Sequence, residues 1–140
     1  MRLLLAALLL SASQALACTW FVGTVGSRHF DTDSDFEESN YGLGVEQCLS
    51  KDWRLVGGVF RNSLRHDSVY AGASWSLLKA GPIGLSLVMG VASGYEVEPA
   101  PILLPVLVIE GERFGANLLL VPKTDYTTAA VGLQVKYRLK

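Results

Sequence analysis

Apolar and polar side chains alternate one by one along most of this chain. The clearest stretch comes last: Val131, Leu133, Val135, Tyr137 and Leu139 fall on one side, and Gln134, Lys136 and Arg138 on the other. A period of two puts successive side chains on opposite faces of a strand, so one face meets an apolar medium and the other a polar one. The same reading predicts strands over 19–29, 41–48, 53–62, 69–78, 83–92, 102–109, 113–121 and 127–139, and no helix. In the fifth, Ile83, Leu85, Leu87, Met89 and Val91 oppose Gly84, Ser86, Val88, Gly90 and Ala92; the sixth is apolar on both faces. Several approach the roughly 9–11 residues that a tilted strand needs to cross a bilayer.

The connections alternate in length. Residues 49–52, 79–82 and 110–112 read as short turns, whereas 30–40 and 93–101 are longer. Short turns on the periplasmic side and long loops outside are the habit of outer-membrane barrels, and both termini then lie in the periplasm. No open sheet edge is tolerated in hydrocarbon, so the sheet must close. The fold expected is therefore all-β: an eight-stranded antiparallel up-and-down transmembrane β-barrel over 18–140. Trp20, Trp53, Trp75, Tyr70, Tyr95 and Tyr137 fall near strand ends, either as an aromatic belt at the water–lipid boundary or as core aromatics of a soluble barrel.

Residues 1–17 read as a secretory signal peptide. Met1-Arg2 gives a positive start, Leu3 to Leu10 an apolar core, and Ala15-Leu16-Ala17 a small-x-small cleavage site. The remainder begins at Cys18, and its second cysteine is Cys48. In an antiparallel hairpin these positions lie together, so a disulfide is expected, with lipidation of Cys18 as the alternative. A formal net charge of −1 gives no basic footprint for nucleic acid. The inward positions of strands five to seven are small or apolar, which suits either an acyl chain held in the bore or a bore plugged by side chains.

The run Phe60-Arg61-Asn62-Ser63, leading without a gap to Ala71-Gly72-Ala73-Ser74-Trp75, resembles the lipid A palmitoyltransferase family. So do Pro99-Ala100-Pro101-Ile102-Leu103-Leu104-Pro105, Leu120-Val121-Pro122 and Gly42-Leu43-Gly44, with His29 upstream. Together these cover most of the chain after residue 17. The resemblance implies an outer-membrane enzyme that moves a palmitoyl chain from a phospholipid donor to a lipid A or lipopolysaccharide acceptor, as a monomer, with no cofactor and no metal. It implies a site of His29, Asn62 and Ser63, where His29 is the general base and the other two assist. The family carries aspartate where Asn62 stands, and an amide cannot stabilise imidazolium by charge. Pro105 and Pro122 match prolines that loosen a strand pair for sideways lipid access. The family's helix ahead of the barrel has no counterpart, and Tyr41 stands where a second proline gap would begin.

Three further readings come from the residues themselves. His66-Asp67-Ser68 has the composition of a triad, but sequence neighbours point apart. The acidic run Asp31 to Glu38 lacks the glycine of a calcium loop, because Phe36 stands there, and reads as a solvated loop. A non-catalytic lipid-binding or structural barrel, and a soluble lipocalin-like carrier, stand as rivals to the enzyme.

Overall fold

A computed structural model describes residues 18–125 and 127–139; the expected signal peptide, residues 1–17, lies outside them. Eight strands follow in order: β1 (Thr19–His29), β2 (Gly42–Cys48), β3 (Trp53–Arg61), β4 (Asp67–Ala80), β5 (Ile83–Ala92), β6 (Ala100–Glu110), β7 (Phe114–Val121) and β8 (Ala130–Leu139). Each pairs antiparallel with its sequence neighbours, and β8 returns to β1, closing an up-and-down barrel. Among the described residues there is no helix.

The ends of β4 and β8 depart from expectation for local reasons. β4 starts earlier because Arg61 and Asp67 complete the β3–β4 ladder, and it ends later because Ala80 still pairs with Ile83. β8 starts later because the Thr127 hydroxyl turns back to donate to the Pro122 carbonyl at 2.6 Å.

Alternation sorts the side chains as the sequence foretold. Leu43 (73% exposed), Phe114 (72%) and Leu103 (62%) belong to an apolar outer surface that also carries Phe21, Leu55, Val59, Val69, Ile83 and Val135. Trp53 and Trp75 stack on this surface near the short-turn rim, with ring centroids 5.8 Å apart. Two aromatics assigned to the surface belt are instead inside. Trp20 is buried in the bore, because it shares a face with Glu46 and Arg138. Tyr70 also points inward, crossing the bore over Gly44 and Gly58; a Cβ at Gly44 would come 2.4 Å from its hydroxyl. Those two glycines are small because a phenol occupies the space.

Candidate functional site

The rim with the long loops gathers the chemistry. Strict alternation along β1 from Trp20, Val22 and Thr24 would point His29 outward. The structure corrects this through a bulge: Thr24 pairs with Gln134 but Gly26 pairs with Leu133, leaving Val25 extra. The extra residue flips the parity beyond it. Ser27 and His29 therefore join the inward face, opposite Gly132 and Ala130.

His29 is held on three sides. Its side chain is only 10% exposed and stacks on Phe36, with centroids 4.6 Å apart. Its Nε2 lies 3.1 Å from Ser63 Oγ, so the two rim residues expected to cooperate are within hydrogen-bond distance. On the other ring nitrogen, Nδ1 lies 3.7 Å from Glu38 Oε1 and makes no hydrogen bond. The same Glu38 oxygen accepts the His29 backbone N–H at 2.9 Å. Loop 30–41 brings Phe36 and Glu38 here because its backbone is tied down. Ser27 N–H donates to the Glu38 carbonyl, Glu37 N–H to the Ser63 carbonyl, and Asn40 Nδ2 to the carbonyls of Glu37 and Arg61.

Asn62 does other work than the resemblance implied. It has no exposed surface, and its amide is fully engaged. Nδ2 donates to Ser68 Oγ at 2.9 Å and to the Gly94 carbonyl at 2.7 Å, while Oδ1 accepts from the N–H groups of Leu64 and His66. A primary amide offers two donors and one oxygen with two lone pairs, so nothing is left over for His29 or an oxyanion. Gly94 meets it with φ of 80°, and a Cβ there would crowd Asn62 Nδ2 at 3.1 Å. Asn62 is the pin joining the β3–β4 turn to loop 93–99. In that loop Tyr95 is half-buried, and burial pushes its phenol above the usual range.

His66, Asp67 and Ser68 do point apart. His66 Nδ1 faces the Gly94 carbonyl, Asp67 pairs with Arg61, and the Ser68 hydroxyl donates to the Ser93 carbonyl. In the acidic loop, Asp35 and Glu37 lie against Arg65 at 3.1 and 4.0 Å.

The two prolines stand beside an interruption in the wall. β6 pairs with β5 over ten positions, from Ala100 to Ile109, but with β7 only from Val106↔Leu119 to Glu110↔Gly115. Pro105 is the first residue past the break and cannot donate to a ladder. Residues 100–105 of β6 thus have no strand partner on the β7 side, a seam of about 20 Å at strand rise. Pro122 lies just beyond β7, in the loop above this seam. The β1–β2 pairing also stops early, at Thr24↔Gly42, but there loop 30–41 seals the gap through Glu38 and Asn40.

The bore departs from the apolar interior expected. Toward the long-loop rim the inward positions include Gly90, Ile102, Leu104, Leu119 and Val121, as anticipated. Toward the short-turn rim the bore is closed by charge. Lys136 Nζ lies 3.1 Å from Glu46 Oε2 and 2.6 Å from Glu110 Oε1, and Arg54 also bridges both carboxylates. Asn117 donates to Glu46 at 2.7 Å, and Trp20 lies under Lys136 at 5.0 Å. These two cations and two anions form a floor and balance each other beside a cavity of about 60 Å³, and Arg138 adds a further cation 5.7 Å from the Trp20 ring. Glu46, Arg54 and Lys136 all lie at inward parity, so the sequence carried this signal in the strands the apolar reading did not weigh.

At the same rim Cys18 Sγ is bonded to Cys48 Sγ, with Cα atoms 5.5 Å apart. Lipid attachment would need that same sulfur. Compared with known proteins, the chain matches no family model and no curated relative.

Proposed function

We propose that this chain is an outer-membrane barrel that transfers an acyl chain from a phospholipid to a hydroxyl of lipid A. The contact that carries the reading is His29 Nε2 to Ser63 Oγ at 3.1 Å, on an inward-facing rim. The exposed apolar surface suits a lipid surround, and the interrupted β6–β7 ladder suits sideways lipid access. The resemblance of Phe60-Arg61-Asn62-Ser63 and of the proline pattern to lipid A palmitoyltransferases names donor and acceptor.

In this scheme Ser63 Oγ attacks the ester carbonyl of the phospholipid while His29 Nε2 takes its proton. The C–O bond to the lysophospholipid breaks, and that oxygen leaves with the proton from His29. The lipid A hydroxyl then gives its proton to His29 and attacks the acyl-Ser63 ester, and Ser63 regains the proton. One ester is exchanged for another, so no cofactor or metal is consumed, and the protein acts as a monomer. The charged floor confines the acyl chain to the upper bore and the seam.

The rival reading is a non-catalytic lipid-binding or structural barrel. What favours it is Asn62, which is wholly occupied, together with the charged floor. Mass spectrometry of lipid A from cells with and without the protein decides between them. The enzyme reading expects an added acyl chain that His29→Ala and Ser63→Ala abolish while the barrel still folds. An unchanged lipid A in cells with folded protein rejects it.

A further inference from the structure

We infer that Glu38 is the positioning acid of the site, orienting His29 through Nδ1 so that Nε2 is free to accept the Ser63 proton; this rests on the acyl-transfer reading above. His29 Nδ1 is buried and makes no hydrogen bond, which is costly for a ring nitrogen inside a protein. The nearest carboxylate oxygen is Glu38 Oε1, 3.7 Å away. That oxygen is already fixed beside the ring by the His29 backbone N–H at 2.9 Å. The Glu38 main chain is anchored too, because its carbonyl accepts from Ser27 N–H at 2.9 Å. A small closing motion of this side chain completes a Ser63–His29–Glu38 relay, of the kind that tightens when substrate binds.

Three nearby rim acids are committed elsewhere. Asp67 pairs with Arg61, and Asp35 and Glu37 with Arg65. Among the described residues Glu38 has one ionic neighbour, and it is His29. The amide that the resemblance put in this role, Asn62, spends all its hydrogen bonds on the β3–β4 turn and loop 93–99. The acid is therefore supplied by the long first loop and not by the third strand.

A carboxylate at Nδ1 holds the imidazole in the tautomer with the proton on Nδ1, leaving Nε2 basic. A glutamine in its place can present an N–H instead and reverse the tautomer. Glu38 is 43% exposed at its side chain, so solvent screening reduces the effect below that of a fully buried acid. The test uses full-length barrel in detergent micelles with phospholipid and lipid A. Glu38→Gln is expected to lower kcat about 10–100-fold with KM changed less than about 3-fold, and Glu38→Asp to fall between. In parallel, 15N-histidine NMR reads the tautomer of His29, with His66 as the internal reference. Loss of the Nδ1–H form in Glu38→Gln supports the assignment. An unchanged tautomer, or an unchanged kcat in an active barrel, overturns it. A native protein that transfers no acyl chain ends the functional reading alone, since the NMR result still decides what Glu38 does.

Discussion

Replacing Lys136 with methionine removes one of the two cations in the floor and keeps nearly the same volume. The ammonium touches both Glu46 and Glu110, and the side chain has no solvent exposure. Its loss leaves the two carboxylates in direct contact with one cation, Arg54. Breaking a buried ion pair on one side costs roughly 3–5 kcal/mol, most of it the penalty on the charge left behind. Arg54 still reaches both carboxylates, and the adjoining cavity of about 60 Å³ has room for water, which moves the expectation to the lower end. Loss of one of the two cations over the Trp20 ring adds roughly 0.5–1 kcal/mol, with Arg138 still 5.7 Å from the ring. The expected loss is about 3–4 kcal/mol, measured by urea unfolding of the folded barrel in micelles and followed by tryptophan fluorescence. Adding Glu46→Gln leaves Arg54 paired with one carboxylate, Glu110, and is expected to recover at least half of the loss. A single-variant loss below about 1 kcal/mol, or a double variant no better than the single, would refute the view of the floor as a closed, mutually dependent network.

Three other outcomes follow from the geometry. Asn62→Asp is expected to destabilise the rim by about 1–3 kcal/mol without raising acyl transfer, because a carboxylate oxygen would face the Gly94 carbonyl; a gain in transfer would bring position 62 back into the chemistry. Cys48→Ser should cost about 3–4 kcal/mol in unfolding, given a sequence separation of 30 between the bonded cysteines, and unaltered stability would show that the bridge adds nothing. The β6–β7 register, continued past Val106↔Leu119, sets Pro105 opposite Leu120. A Pro105→Cys, Leu120→Cys pair should lose most transfer when oxidised and regain it when reduced; equal rates in both states would remove the seam as the lipid route.

Strands were legible because each carries its own period of two, and β1 and β5 begin and end where alternation places them. The face of a residue was less legible wherever a bulge intervened. Nothing in Thr24-Val25-Gly26 says that one residue is extra, since that depends on register with β8, far away in sequence. The role of Asn62 was hidden for a related reason: its partners Ser68 and Gly94 meet it only once β4 and β5 are side by side. Glu38 was readable as an acid but not as a neighbour of His29, because a loop's path is set by contacts such as Ser27 to Glu38, not by any periodicity. The floor was the opposite case. Glu46 and Lys136 stood in plain alternation, and were outweighed by the apolar run of β6.

The bulge at Val25 makes the site depend on a count. With Val25 left out of the ladder, Ser27 and His29 face inward opposite Gly132 and Ala130; paired flush with β8 instead, the same residues would slide by one and turn to the outer surface. A slip of one residue would therefore spare the architecture while parting His29 from Ser63. In any related chain an odd separation between the counterparts of Trp20 and His29 needs such a bulge to bring the histidine inside, and an even one does not.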